Sequence, residues 1–290
     1  MPSGGKYLLV WGLICLAALA VAKECTGWNT TEFFETASLE VVVDCLNSGA
    51  DVQARAMSGF TPLHIAATLS GDPAIITALL DAGADANARN ESGRTPLHLA
   101  AVASDNPTVI SALIEAGADV HARVVPDLTP LHIAAVASDN PAVVEVLVEA
   151  GADPNARGVD DLTPLHVAAG GNTNPAIIAT LLWAGADADV RGEGGLTPLH
   201  VAAAINGNPA IISALLRAGV EVNVRTDYGT TPLHAAAESA DNPAVIALLL
   251  DIGADASARD FRGKTPWDYA KDRDELRGTE VYRRLDEERF

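Results

Sequence analysis

The tetrapeptide Thr61-Pro62-Leu63-His64 is repeated five more times along the chain, and each copy begins 34 residues after the previous one. The later copies begin at Thr95, Thr129, Thr163, Thr197 and Thr231, and an altered copy, Thr-Pro-Trp-Asp, begins at Thr265. A fixed period of this length is typical of a protein built from stacked units rather than around one closed core.

Each full copy lies in a longer pattern, in which Thr-Pro-Leu-His-x-Ala-Ala is followed by an Asn-Pro or Asp-Pro pair, an apolar run and a glycine. Thr before Pro is an N-cap signal with a first-turn proline, and the Asn-Pro pair repeats this signal for a second helix. The glycine is suited to end that helix, because it readily adopts a left-handed conformation. Each unit is thus predicted to contain two short helices joined by a loop.

Over residues 30–290 this pattern resembles the ankyrin repeat family. The resemblance implies an all-α repeat solenoid, a stack of helix-turn-helix units with projecting hairpin loops. We assign six repeats of 34 residues to residues 58–261 and a capping repeat to residues 262–290. Residues 23–57 are predicted to be an N-terminal capping helical pair, whose first helix begins at a capping box formed by Asn29 and Glu32.

Residues 1–22 have the composition of a cleavable signal peptide. Lys6 precedes an apolar run over residues 7–20, and Ala20-Val21-Ala22 supplies the small residues expected before a cleavage site. An uncleaved anchor is the alternative, although the run is short for a membrane span. We therefore predict a secreted or periplasmic protein without stable membrane insertion after cleavage.

Two cysteines remain after removal of the predicted signal peptide, Cys25 and Cys45. In an oxidising compartment an even pair is expected to form a disulfide, which would close the N-terminal helical pair. The alternative is two buried thiols. Asn29 and Asn90 also begin glycosylation sequons, which matter only in a eukaryotic secretory pathway.

The chain has a formal net charge of −19 and only 19 lysines and arginines in 290 residues. Binding to nucleic acid is not expected, because phosphate recognition needs clustered basic side chains. Such an acidic chain favours basic or apolar partners. We expect an unidentified protein partner, no cofactor, and a monomeric chain.

A histidine recurs once in each unit, and this row invites a metal-binding or catalytic interpretation. No two of these histidines have the i, i+4 spacing of a ligand pair on one helix. The resemblance implies instead that each imidazole forms hydrogen bonds that join helix and hairpin. We predict no metal ligand and no catalytic residue among His64, His98, His132, His166, His200 and His234.

Arginines also recur with the same period, at Arg55, Arg89, Arg123, Arg157, Arg191, Arg225 and Arg259. Most of them follow the Asp of a Gly-Ala-Asp sequence by four residues, which suggests repeated ion pairs that brace adjacent hairpins. The alternative is a row of guanidinium groups available to carboxylates of a partner.

Positions that vary between units are the candidates for partner binding. The residues before Thr-Pro and the residues after Ala-Ala lie on the concave face in the resembled family, and the hairpin tips are exposed. An apolar surface at these positions would suit a partner segment. Alternatively, the loop between the two helices of each unit, which is one residue longer here than in the common form of the resembled family, could cover these side chains. The candidates are Phe60, Arg94, Val102, Leu128, Val136, Leu162, Leu196, Ile205, Tyr228 and Phe261.

Trp183 occupies a second-helix position where other units have charged residues. It indicates either a second contact surface or packing of the ring, and we favour packing. The sequence as a whole predicts an exported scaffold that binds protein without catalysing a reaction. Alternatives are an accessory factor for an exported enzyme, an effector directed at a host protein, or a metal-dependent hydrolase.

Overall fold

The computed structural model describes residues 25–103 and 105–289, so the predicted signal peptide lies outside the described residues. Within these ranges the chain forms 16 α-helices and no β-strand, which confirms the predicted all-α repeat fold. Two compact units contain residues 25–125 and residues 126–289. None of the helices in the described ranges combines the length and apolar character needed to cross a membrane.

The helices of the first unit are α1 (Thr31–Thr36), α2 (Leu39–Asn47), α3 (Pro62–Leu69), α4 (Pro73–Asp81), α5 (Pro96–Ala103) and α6 (Pro107–Glu115). The helices of the second unit are α7 (Pro130–Ala137), α8 (Pro141–Glu149), α9 (Pro164–Gly171), α10 (Pro175–Trp183), α11 (Pro198–Ile205), α12 (Pro209–Arg217), α13 (Pro232–Ser239), α14 (Pro243–Asp251), α15 (Pro266–Ala270) and α16 (Glu280–Glu287).

Two rows of helices build each unit. In the first unit α1, α3 and α5 pack side by side, and α2, α4 and α6 form the second row. The second unit has the same arrangement, with α7, α9, α11, α13 and α15 in one row and α8, α10, α12, α14 and α16 in the other. The leucine and the alanine pair of every Thr-Pro-Leu-His-x-Ala-Ala sequence are fully buried, because small side chains let neighbouring helices approach closely.

The Asn-Pro pairs start the second helices and also connect neighbouring repeats. Asn208 Oδ1 accepts the backbone N–H of Ala210 at 3.0 Å, while its Nδ2 donates to the carbonyl oxygen of Thr173, in the preceding loop, at 2.8 Å. Asn174 and Asn242 make the equivalent pair of bonds. Asp72 caps α4 through Oδ1 alone, and its carboxylate offers no N–H to a neighbour.

The first helix begins one residue later than the capping box predicted. Thr30 is the N-cap of α1, and its Oγ1 accepts the backbone N–H of Phe33 at 3.3 Å. Asn29 lies in the turn before it with a φ of 69°, a left-handed conformation that asparagine tolerates better than most residues. The prediction of Asn29 as the N-cap was therefore wrong.

Both sequon asparagines are only 6% exposed. Asn29 Nδ2 donates to the carbonyl oxygen of Phe60 at 3.4 Å. Asn90 Oδ1 accepts the backbone N–H groups of Ser92 and Arg94 at 3.1 and 2.9 Å. Both side chains serve the fold, and neither is available for glycosylation in the folded protein.

The two cysteines of the N-terminal helical pair lie together, with their Sγ atoms 2.02 Å apart. Cys45 is in α2 and fully buried, whereas Cys25 precedes α1. This placement permits the pairing expected in an oxidising compartment, and the disulfide itself stays a prediction.

At the C-terminal end, Asp268 replaces the histidine of the motif. Its Oδ2 accepts the N–H and the hydroxyl of Thr265 at 3.0 and 3.1 Å. The backbone bond from Thr265 is the main reason why the pKa of Asp268 falls to about 2. Arg273 covers the end of α13, where its guanidinium donates to the carbonyl oxygens of Ala236, Ala237 and Ala240.

Candidate protein-binding surface

Each recurring histidine holds the start of its own helix, and both ring nitrogens are occupied where they are described. In the repeat that begins at Thr129, Nδ1 of His132 accepts the backbone N–H of Thr129 at 3.3 Å. Nε2 therefore carries the proton, and it donates to the carbonyl oxygen of Leu162, one repeat further on, at 3.1 Å. The same two bonds are made by His64, His166, His200 and His234.

Burial favours the neutral imidazole in this row. It lowers the pKa of His64, His166 and His234, and it lowers that of His200 from 6.5 to about 4. A metal ion would need a nitrogen lone pair, and the one on Nδ1 already accepts a backbone N–H. The geometry therefore gives these histidines the structural role implied by the resemblance.

The recurring arginines brace adjacent hairpins, but through carbonyl oxygens rather than through the predicted ion pairs. Arg225 Nη1 donates at 2.8 Å both to Gly229 O in its own hairpin and to Arg259 O in the next. The aspartates of Gly-Ala-Asp bond locally instead, as Asp187 accepts the N–H of Asp189 at 3.0 Å. A bond to the next hairpin is also made by Arg55, Arg89, Arg157 and Arg191. The interpretation was thus right about the bracing and wrong about the Asp of Gly-Ala-Asp as the partner, although Arg191 does form an ion pair with Asp227 of the next hairpin at 2.9 Å.

The three candidate leucines each precede the first helix of a repeat in the second unit. We call them the leucine row: Leu128, Leu162 and Leu196. Leu128 and Leu162 are half-buried, because each lies against a glycine of the next hairpin, Gly158 or Gly192. At the position equivalent to these glycines, the hairpin after Leu196 has Thr226 instead, and Leu196 is exposed.

On the three helices that follow these leucines in the chain, side chains of α7, α9 and α11 form a continuous apolar patch, which we define as Val136, Gly170, Gly171, Val201 and Ile205. A methyl group built at Gly171 would lie 2.5 Å from Cγ2 of Val136, and one at Gly170 would lie 2.8 and 2.9 Å from Val201 Cγ1 and Ile205 Cδ1. The flanking side chains therefore lean onto the two glycines from both sides. Val136 is exposed and Ile205 is 65% exposed, so the loop does not bury them.

Gly170 and Gly171 were not among the candidates predicted from the sequence. The sequence did contain a signal for them, because every other repeat has at least one side chain larger than glycine at the two equivalent positions. The contacts with Val136 and Ile205 could not be read from the period, because they depend on which rotamers the neighbouring repeats adopt.

Phe60, Arg94 and Val102 are the candidates that belong to the first unit. Phe60 is half-buried, with its ring 5.7 Å from that of His64, and it lines a cleft of about 410 Å³ together with Ile65 and Met57. Arg94 and Val102 are exposed. Because Val102 is exposed, the loop between the helices does not cover it either.

The two hairpin aromatics are exposed as predicted, Tyr228 by 69% and Phe261 by 78%. Trp183 corrects an expectation, because its ring is 82% exposed at the end of α10 and does not pack into the stem. Among the described residues, no group of three or more His, Cys, Asp and Glu side chains is arranged to hold a metal ion.

The comparisons with known proteins agree with this architecture. A family model described as "Ankyrin repeats (3 copies)" matches residues 34–124, 63–158 and 165–260. No curated protein matches the sequence. The crystal structure of the human ASB11 ankyrin repeat domain is similar at 26% identity and a TM-score of 0.66, covering 76% of this chain and 95% of that one.

The crystal structure of the ankyrin repeat domain of Bcl-3, a member of the IkappaB protein family, is similar at 30% identity and a TM-score of 0.62. That match covers 79% of this chain and 99% of the Bcl-3 domain. Together the recurring motif, the paired helices and these matches have one explanation: the chain belongs to the ankyrin repeat family.

Proposed function

We propose that this protein is an exported scaffold without catalytic activity, which binds a polypeptide segment on the leucine row and the apolar patch of its second unit. The observation that carries the proposal is the exposure of Val136 on one repeat and of Leu196 and Ile205 on the repeat after next, with Val136 and Ile205 both lying against the glycine pair of the repeat between them. Exposed apolar side chains that adjoin one another are typical of protein-binding surfaces. The matching family supports the general role, since ankyrin repeats are commonly protein-interaction scaffolds.

The charge of the chain supports a partner of basic and apolar character. Acidic residues stand close to the leucine row in the sequence, at Asp127, Asp160, Asp161 and Glu193, and the whole chain has a net charge of −19. A segment with an apolar face and flanking lysines or arginines would match both features.

Export is part of the proposal. It is supported by the signal-peptide composition of residues 1–22 and by the proximity of Cys25 and Cys45. The mass of the protein recovered from culture supernatant or periplasm should correspond to a chain that begins at Lys23. Recovery of the full-length chain from the membrane fraction would contradict export with cleavage.

The binding surface is tested by affinity purification from the compartment in which the protein is found. We expect the double variant Leu196→Glu/Ile205→Glu to lose the partner that the wild type recovers, because two carboxylates would have to be buried against an apolar segment. Val125→Glu is the control, since Val125 is an apolar side chain that is 86% exposed and lies on a hairpin of the first unit. Equal recovery by the patch variant and the control would reject this surface.

A further inference from the structure

A second feature of the second unit is a cleft of about 360 Å³ near its C-terminal end. Three aromatic rings, two carboxylates and one guanidinium face it. Its lining residues are Tyr228, Thr230, Glu238, Asp260, Phe261, Arg262 and Tyr269.

Two of the rings are exposed and yet held in place. A methyl group built at Gly229 would lie 2.7 Å from Cδ1 of Phe261, and one at Gly194 would lie 3.1 Å from Cε2 of Tyr228. Each ring therefore rests on a glycine of the preceding hairpin. The backbone N–H of Phe261 also donates to the carbonyl oxygen of Tyr228 at 3.0 Å. The rings are thus positioned before any ligand arrives, which lowers the entropic cost of binding.

The third ring is fixed by a buried carboxylate. Tyr269 donates its hydroxyl to Asp260 Oδ2 at 2.6 Å, while Asp260 Oδ1 accepts the N–H groups of Arg262 and Lys264 at 2.9 and 2.8 Å. Burial and the bond to Asp260 raise the pKa of Tyr269 to about 12. The hydroxyl is therefore always a donor to Asp260, and a negative charge lies behind the ring.

One cation is already held on these rings. The Lys264 ammonium lies 4.9 Å from the centroid of the Tyr269 ring, within the range of a cation–π interaction. Tyr228 and Phe261 have no such cation among the described contacts. Glu238 is an exposed carboxylate at the end of α13 and lines the same cleft, and within residues 25–103 and 105–289 it forms no ion pair.

We propose that this cleft binds an arginine side chain of the partner segment. Its planar guanidinium would stack on the exposed ring of Tyr228 or Phe261 and form a forked pair of hydrogen bonds with Glu238. A planar group uses ring and carboxylate at once, which a lysine ammonium does less well. The acidic net charge of the chain attracts a cationic ligand and offsets the repulsion from Arg262 and Lys264. This inference rests on the proposed function for the origin of the arginine.

The cleft is tested without the partner. Nα-acetyl-arginine amide and its uncharged analogue Nα-acetyl-citrulline amide are titrated into the chain from Lys23 to Phe290, and ring resonances are followed by NMR. We expect the arginine probe to shift Tyr228 and Phe261 saturably and to bind about fivefold more tightly than citrulline. Glu238→Gln should weaken the arginine probe about fivefold. Trp183→Ala, the loss of an exposed ring elsewhere, should change nothing.

Equal affinity for arginine and citrulline, or no saturable shift, would overturn the proposal, as would unchanged arginine binding in Glu238→Gln. Far-UV circular dichroism verifies that the variants are folded. Leu196→Glu/Ile205→Glu separates the two hypotheses, because it should lose the partner and keep the arginine probe. Loss of partner in that variant without any arginine binding in the wild type would refute the cleft and leave the proposed function standing.

Discussion

Acidification should destabilise this protein, and His200 supplies the best-defined share of the effect. Its side chain is 1% exposed. Nδ1 accepts the backbone N–H of Thr197, and Nε2 donates to the carbonyl oxygen of Thr230 at 3.1 Å. A proton on Nδ1 would remove an acceptor from the first bond and place a charge in a buried site. Burial accordingly lowers the pKa of His200 from 6.5 to about 4.

The sign follows from proton binding in the two states. Between the unfolded pKa of 6.5 and the folded pKa of about 4, the unfolded chain binds more protons, so stability falls as the pH falls. The stabilisation is complete above the unfolded pKa. At about pH 5 the loss from His200 is about 2 kcal/mol, and it approaches about 3 kcal/mol near the folded pKa. Burial lowers the pKa of His64, His166 and His234 in the same direction.

The assay is urea unfolding of the wild type and of His200→Gln at about pH 7.5 and about pH 5. The change in unfolding free energy between the two pH values should be about 2 kcal/mol smaller in the variant. Changes in the net charge of the acidic chain affect both proteins alike and cancel in this difference. An equal pH dependence in the two proteins, or an NMR titration of His200 with an ordinary pKa, would refute the reasoning.

Three further predictions concern the bonds between repeats and the ends of the chain. Asn208→Asp keeps the cap of α12 but loses the bond to the preceding loop, so it should cost about 1 kcal/mol in urea unfolding, against about 2 kcal/mol for Asn208→Ala; an unchanged unfolding free energy in Asn208→Asp would show that Nδ2 contributes nothing. Replacement of Cys25 and Cys45 by serine should lower the unfolding free energy of the first unit by about 3 kcal/mol. Alkylation and mass spectrometry of the exported protein should find no free thiol at either position, and free thiols at both would refute the disulfide. Arg273→Lys should lower stability by about 1 to 2 kcal/mol in thermal unfolding, since one ammonium cannot replace a planar fork on three carbonyl oxygens; an unchanged midpoint would exclude that role.

Much of this fold could be predicted from the sequence because its decisive signals are local. Thr61 before Pro62 specifies a helix start from the chemistry of one side chain and one ring, and the structure begins α3 there. Gly83 specifies the end of α4 for an equally local reason, and its φ is +93°. Repetition then determines how the units stack, because the same buried residues recur in each repeat and pack against the next repeat in the same way.

Apart from the N-cap of α1, the expectations that failed concern partners outside the local sequence. The acceptors of Arg225 could not be deduced from the nearby acidic residue, because the carbonyl oxygens of two hairpins compete for the same donor. Trp183 looked suited to packing by its residue type, but its position points away from the neighbouring helices. The patch around Gly170 and Gly171 arises from side chains of the repeats on either side. A period in the sequence shows where such residues stand and not what they touch.

The departures from the repeat reveal why its polar residues recur. Asn208 bonds through one atom within its own repeat and through another to its neighbour, and His200 does the same. Asp72 and Asp268 keep the local half of these bonding patterns, and neither carboxylate can donate an N–H to a neighbouring repeat. Asp72 stands in the first full repeat and Asp268 in the C-terminal capping repeat. The hydrogen bond to the neighbouring repeat is therefore what requires asparagine and histidine in the other repeats. Positions without such a bond, including those of the leucine row and the apolar patch, are free to vary for binding.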